Sequence, residues 1–254
     1  MRNSIVGLDK FLNHLHSHSD CYVVIGGIAT RITLEDAGLE ARVTKDFDVV
    51  LLADGTNAQF ARDIANLLKE GQYQNYTSNE KRVCFRFVKP QTNGYPTQIE
   101  LFAGSNNKTF ERYLQKVPIV VDEEQLSAII LDENVFEFIK SRRILTEEGL
   151  PIVDIYGLIA LKSFAYFENF ALYEKGKVTE STYSKHRSDI IRLLLALPSG
   201  SPSISLPTIL LESAKKFVDV LSNAGDVFKG IVRGEVKLNI SDLVIIYKRV
   251  FCGE

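Results

Sequence analysis

Apolar residues follow two different spacings along this chain, and each spacing predicts a type of secondary structure. Intervals of three and four residues, typical of a helix with one buried face, predict helices over residues 4–16, 28–37, 58–68, 155–170, 182–197, 206–223 and 241–251. Continuous or alternating apolar runs predict strands over residues 21–25, 47–52, 82–88 and 98–102. The PQTNGYP segment after residue 89 contains Asn-Gly and two prolines, so we expect a turn there and antiparallel pairing of the last two strands.

The predicted elements change character near residue 149. Before it, strands and helices are mixed, which predicts an α+β fold with a small mixed sheet and flanking helices. The pattern is less regular from 116 to 144, where we expect strands within VPIVV (117–121) and VFEFIKSRRIL (135–145). After Pro151 only helices are predicted, the first with Asp154 as its N-cap. We therefore predict two domains, residues 1–149 with the sheet and residues 150–254 with a C-terminal helical domain.

Composition narrows the class of protein but does not define its chemistry. The 254 residues are 45% hydrophobic and 24% charged, as in an ordinary globular protein, and the net charge of -2 carries no basic bias toward nucleic acids. Three widely spaced cysteines form neither a zinc-binding pattern nor a disulfide framework. The chain begins without the apolar stretch of a signal peptide and has no bilayer-spanning run. We expect a cytoplasmic protein that does not bind a membrane.

The first candidate site combines a glycine turn with two aspartates. Gly26-Gly27 ends the first predicted strand, and Asp46 and Asp48 open the second. Residues two apart on a strand point to the same face, so these two carboxylates lie side by side and repel each other. Such pairs are typical of sites for a divalent cation, and a glycine turn can present backbone N–H groups to a phosphate. The stretch predicts a site for a metal-bound nucleoside triphosphate.

Glu100 is a candidate third acid. It lies in the middle of an otherwise apolar predicted strand, where an unpaired charge would cost about a few kcal/mol. A metal shared with Asp46 and Asp48 would compensate the charge. A structural ion pair with an arginine is the alternative, and the candidates are Arg42, Arg82 and Arg86.

These residues resemble the motifs of a known family. Gly26-Gly27-Ile28-Ala29, followed by Arg42-Val43-Thr44-Lys45-Asp46-Phe47-Asp48, is similar to the active-site pattern of the nucleotidyltransferase superfamily with a polymerase-beta-like core. The closer resemblance is to AbiEii-type nucleotidyltransferases, the toxins of bacterial toxin–antitoxin systems. Their helical half carries a lysine and a Lys-x-x-x-Asp motif, to which Lys162 and Lys185–Asp189 correspond here. The resemblance spans roughly residues 21–197. In the superfamily serine usually stands where this chain has Gly27, so Thr30 or Thr33 would supply the hydroxyl.

The resemblance implies an activity with defined substrates. A nucleoside monophosphate would move from an NTP to an acceptor hydroxyl on a tRNA end, a protein or a small molecule, and an antitoxin protein could be a partner. The catalytic residues, which would also bind Mg²⁺ or Mn²⁺, would be Asp46, Asp48 and Glu100. The nucleotide-binding residues would be Gly26, Gly27, Thr30, Arg42, Lys162, Lys185 and Asp189.

Each residue of the helical half also has an ordinary structural interpretation. Lys162 can be a surface lysine whose stem lies on apolar neighbours. Lys185 and Asp189 can be a helix-stabilising pair four residues apart, and His186 is expected to be a solvated helix histidine. The alternative function is a catalytically silent module of the same fold that binds a nucleotide or a partner protein.

Overall fold

The computed structural model describes residues 5–52, 58–77, 82–104, 130–198, 200–232 and 238–253. The helices in these ranges are α1 Leu8–Leu15, α2 Gly26–Asp36, α3 Ala58–Glu70, α4 Glu133–Ser141, α5 Ile155–Glu174, α6 Glu180–Ala196, α7 Thr208–Ser222, α8 Gly225–Ile231 and α9 Ile240–Tyr247. A 3₁₀ turn, His16–His18, follows α1, and a π-helical turn, Lys248–Cys252, follows α9. The strands are β1 Tyr22–Ile25, β2 Asp46–Leu51, β3 Gln74–Thr77, β4 Arg82–Val88, β5 Gln98–Gly104, β6 Ile130–Leu131, β7 Arg143–Leu145 and β8 Pro151–Val153.

The chain divides into two compact units. The first unit comprises Met1–Ala29 and Val43–Val153, and the second comprises Thr30–Arg42 and Asp154–Glu254. This division differs from the predicted domains of residues 1–149 and 150–254 in two places. Residues 30–42 belong with the helices, and the first unit continues to Val153 because Pro151–Val153 is a strand of the sheet, where only helices were expected. Helix α2 begins in the first unit and continues into the second.

The first unit is built on one mixed sheet. Its described strands lie in the order β3-β4-β5-β2-β1-β8-β7, and β6 pairs with the last residues of β5. The pairs β1–β2, β3–β4, β4–β5 and β7–β8 are antiparallel, whereas β1–β8, β2–β5 and β5–β6 are parallel. The predicted α+β class with a mixed sheet is confirmed, and so is the antiparallel pairing of β4 with β5.

Helices α1 and α3 cover one face of this sheet through aromatic contacts. The ring of Phe11 lies 5.6 Å from Tyr22 and 4.9 Å from Phe47, and Phe60 of α3 stacks on Tyr22 at 6.0 Å. Burying each such ring contributes about 2–3 kcal/mol. Because side chains alternate along a strand, burial of Phe47 on this face directs its two neighbours, Asp46 and Asp48, to the opposite face.

Helix α2 begins earlier than its apolar pattern predicts. It starts at Gly26, two residues before Ile28, and Gly26 has a φ of 68°. Gly38 caps the C-terminus of this helix: it has a φ of 72°, its N–H donates to the Glu35 carbonyl, and the next N–H, of Leu39, donates to the carbonyl of residue 34.

The strand expected within residues 135–145 is confirmed at the end of that stretch, and the rest of it belongs to a helix that the sequence does not predict. Residues up to Ser141 belong to α4, and only Arg143–Leu145 forms a strand. The helix is favoured because Asp132 caps it, accepting hydrogen bonds from the N–H groups of Asn134 and Val135 at 3.0 and 3.2 Å. The strand predicted at 117–121 lies outside the described residues.

The second unit packs around α5. The predicted N-cap is confirmed, since the Asp154 carboxylate accepts a hydrogen bond from the Gly157 N–H at 2.9 Å. Tyr166 of α5 contacts the rings of Tyr183 on α6 and Phe217 on α7, at 5.3 and 5.4 Å. These rings form an aromatic core that ties three helices together. Among the described residues, no helix combines the length and apolar character that crossing a membrane requires.

Candidate functional site

Three of the predicted acids lie on one face of the sheet. Strands β2 and β5 are paired in parallel with Asp48 directly opposite Glu100, and Asp46 directly opposite Gln98. On the far side of β5, Arg86 of β4 stands opposite Glu100. Neighbouring strands are about 4.8 Å apart, so these side chains form one row across three strands. We call Asp48, Glu100 and Arg86 the charged row.

Position 26 has to be glycine because the Asp48 side chain lies against the start of α2. A Cβ at position 26 would lie 1.9 Å from Oδ2 of Asp48 and 2.9 Å from its Cγ, so a side chain there would collide with the carboxylate. The positive φ of Gly26 also disfavours other residues. The carboxylate therefore sits close against the first residue of α2, the helix end that carries partial positive charge.

Glu100 forms the ion pair that the sequence offered as the alternative to a metal. The Nε of Arg86 lies 2.6 Å from Oε1 of Glu100, and Nε2 of Gln98 donates to the same oxygen at 2.6 Å. The Glu100 side chain is 12% exposed, against 34% for Arg86. Arg86, one of the three candidate arginines, is a counter-ion of Glu100, and Arg42 pairs with Asp189 instead.

Asp46, Asp48 and Glu100 are not grouped as a preformed metal site. In the part of the chain that the structure describes, no three His, Cys, Asp or Glu side chains are grouped so that they could hold a metal ion. Asp46 is exposed at the start of β2. One observation fits a divalent cation: three carboxylates share one face, which is the ligand type that Mg²⁺ prefers.

Lys162 and Asp189 form a buried ion pair in the second unit. Their side chains are 4% and 1% exposed, and Nζ lies 2.8 Å from Oδ2. Arg42 donates from its Nε to the same oxygen at 3.2 Å. Burial alone would raise the pKa of Asp189, but Lys162 and Arg42 outweigh it and hold the pKa below its usual range. The interpretation of Lys162 as a surface lysine is wrong, because Asp189 draws its amine into the interior.

His186 is not the solvated histidine that the sequence predicts. Its Nε2 lies 3.1 Å from the amide nitrogen of Asn169, which also donates to the Ala165 carbonyl, so the ring accepts at Nε2 and carries its proton on Nδ1. Burial, followed by the charges of Lys162 and Lys185, lowers the pKa of His186 to about 3. The ring is therefore neutral at physiological pH.

The remaining predicted residues are distributed between the two units. Gly27 is the second residue of α2 in the first unit, and it is partly exposed. Thr30, 3% exposed, belongs to the second unit, as does Lys185, which is partly exposed one turn before Asp189 on α6. The structure brings Arg42, Lys162 and Asp189 together in the second unit, and it aligns Asp48 with Glu100 in the first.

Two residues of these clusters were missed as site candidates. Asn169 lies two helical turns after Lys162, so both are polar residues on one face of an apolar helix, a spacing that could have indicated a buried polar cluster. The sequence indicates Arg86 only as a possible counter-ion of Glu100. The register that places it beside Glu100 depends on the length of the PQTNGYP turn, which is visible in the sequence.

Comparison with known proteins adds no assignment. No protein-family model matches the chain, and no curated protein matches it significantly.

Proposed function

We propose that this chain is a metal-dependent nucleotidyltransferase that moves a nucleoside monophosphate from an NTP to an acceptor hydroxyl. The observation that carries the proposal is the register of the sheet. It aligns Asp48 with Glu100 on the face that Asp46 also shares, beside a glycine-started helix. The nucleotidyltransferase core, with a C-terminal helical domain, is the fold that the proposal requires.

In the proposed reaction, the carboxylates of the first unit have the charge to hold one or two Mg²⁺ or Mn²⁺ ions. A bound ion would neutralise phosphate charge and lower the barrier to displacement of pyrophosphate. Asp46 and Asp48 would bind the cation, and Glu100 would bind it too or accept the proton of the attacking hydroxyl. The backbone N–H groups of Gly26 and Gly27, at the start of α2, would donate to phosphate oxygens.

The second unit carries a cluster of positive charge of its own. Arg42 and Lys162 both pair with the Asp189 carboxylate, Lys185 lies one turn before Asp189 on α6, and His186 is neutral. The excess of cations in a partly buried cluster favours an anion such as a phosphate group. Thr30, which is buried, would supply the hydroxyl that a serine usually supplies in the superfamily.

The alternative is a catalytically silent module that binds a nucleotide or a partner protein. One observation favours it: Glu100 is neutralised by Arg86, which is how a sheet protein compensates a buried acid that has no metal. The two functions differ in whether the carboxylates are needed for chemistry.

The deciding experiment is incubation with each of four labelled NTPs, total tRNA and a cell lysate, with Mg²⁺ or Mn²⁺. We expect one acceptor to become labelled by the wild type and not by the Asp46→Asn, Asp48→Asn double variant. Asp9→Asn, which removes an exposed acid of α1 in the same unit, is the matched control and should label normally. Labelling that survives in the double variant would refute the metal-dependent mechanism.

A silent module would give a different pattern. Calorimetry would then detect NTP or partner binding, with no labelled acceptor under any condition. The proposed role as a toxin has its own test, since induced expression should arrest growth of a bacterial host with the wild type and not with the double variant. Unimpaired growth under wild-type expression would contradict that role.

A further inference from the structure

In the charged row, the guanidinium of Arg86 occupies the side of Glu100 away from Asp48. Arg86 Nε and Gln98 Nε2 both lie 2.6 Å from one oxygen, Oε1, of Glu100. We infer that Arg86 is a positioning residue that competes with the cation for Glu100, so that Arg86 must give up this ion pair when a metal binds. This inference rests on the proposed function, because it concerns the same carboxylates.

The physical basis of the competition is charge. Without a cation, Asp48 and Glu100 are adjacent carboxylates on neighbouring strands, and their mutual repulsion disfavours two negative charges. Arg86 offsets one of these charges from the opposite side of β5. A divalent cation bound by Glu100 would offset the same charge, so the guanidinium and the cation are alternatives for one carboxylate.

The geometry explains why the carboxylates are not grouped as a metal centre in the structure. Oε1 of Glu100 accepts a hydrogen bond from Gln98 and lies in an ion pair 2.6 Å from Nε of Arg86. For Glu100 to turn toward Asp48, these contacts must break. The free energy of breaking them is lost from metal binding, and the affinity of the site for metal is therefore lower than the three carboxylates alone would give.

Mn²⁺ binding measured by isothermal titration calorimetry without nucleotide tests this competition. We expect Arg86→Gln to bind Mn²⁺ about fivefold more tightly than the wild type, the scale of one partly exposed ion pair. Arg86→Lys retains the positive charge and should stay within about twofold of the wild type. Lys69→Gln, which removes an exposed cation from α3, controls for the change in net charge and should not change the affinity.

A double-mutant cycle separates a direct effect from a general one. In a Glu100→Gln background the ion pair no longer exists, so adding Arg86→Gln should leave the Mn²⁺ affinity unchanged. An equal gain in both backgrounds would overturn the inference, and so would weaker or unchanged Mn²⁺ binding by the single variant. If Arg86→Gln fails to fold, the inference is tested by the Mn²⁺-induced shift in the melting temperature of Arg86→Lys. A shift larger than about twice that of the wild type would overturn the inference.

The same titrations distinguish this inference from the proposed function. Absence of Mn²⁺ binding by the wild type and by every Arg86 variant would refute the metal site itself. Binding that is abolished by Asp46→Asn with Asp48→Asn but is insensitive to Arg86 would leave the proposed function intact and refute only the competition.

Discussion

Replacing His186 with leucine should remove a defined part of the acid sensitivity of folding. In the folded protein the ring of His186 is kept neutral, because burial and nearby cations lower its pKa from 6.5 to about 3. In the unfolded chain the same ring binds a proton with a pKa near 6.5. Between these two pKa values the unfolded state binds more protons than the folded state.

The sign and size of the effect follow from proton linkage. A depressed folded pKa means that the full contribution to stability is present above pH 6.5 and is lost progressively as the pH falls toward 3. The slope over this window is about 1.4 kcal/mol per pH unit, so the free energy of unfolding should fall by about 2 kcal/mol by pH 5 through this residue alone.

Urea denaturation followed by circular dichroism at pH 7.5, 6.0 and 5.0 would measure this loss. Carboxylates also titrate toward the acid end, so the informative quantity is the difference between the wild type and His186→Leu at each pH. We expect the variant to lose about 2 kcal/mol less than the wild type between pH 7.5 and 5.0. His16→Leu, at an exposed histidine, is the control and should follow the wild type.

Parallel pH profiles for the wild type and His186→Leu would refute the reasoning. That result would mean that the imidazole is as accessible to protons in the folded protein as in the unfolded chain. The buried Nδ1 atom and the hydrogen bond to Asn169 would then not describe the ring in solution.

Two further substitutions test contacts described above. Gly26→Ala should destabilise the protein by about 1–2 kcal/mol from backbone strain and by a further amount from collision with Asp48, whereas Gly38→Ala, with a similar φ and no atom within 4 Å, should cost the strain alone. Equal losses in urea denaturation would mean that Asp48 does not approach position 26 closely. Asp189→Asn should cost about 3 kcal/mol because it leaves the buried amine of Lys162 without its carboxylate, and Lys162→Met with Asp189→Leu should recover part of that loss. A loss below about 1 kcal/mol in Asp189→Asn would contradict a buried ion pair.

Local signals in the sequence predicted four strands of the sheet, β1, β2, β4 and β5, but not β3, β6 or β8. The period-two pattern of β4 and β5 and the turn between them predicted their pairing. The alternation around Phe47 predicted that Asp46 and Asp48 share a face. By contrast, the apolar run at 135–145 fits either a strand or a helix, and the Asp132 cap decides for a helix over residues 133–141.

Contacts between residues distant in sequence were not predictable in the same way. Lys162 and Asp189 lie on different helices, and their pairing depends on how α5 and α6 pack, which no local pattern specifies. The same applies to Arg42, which reaches Asp189 across 147 residues of sequence. The burial of His186 follows from that packing too, so a polar, helix-compatible segment was interpreted as solvated.

The interrupted path of the chain through the second unit limits how the protein can be dissected genetically. Because Thr30–Arg42 belongs with Asp154–Glu254, no single cut yields this unit whole. A fragment that starts at Asp154 would lack Arg42 and leave Asp189 with only one of its two cationic partners. Exchanging the C-terminal half with that of another protein would also separate residues 30–42 from the rest of their unit. We therefore expect that residues 154–254 alone do not reproduce the second unit. A complete fragment would need residues 30–42 as well, supplied as a separate peptide or joined by circular permutation.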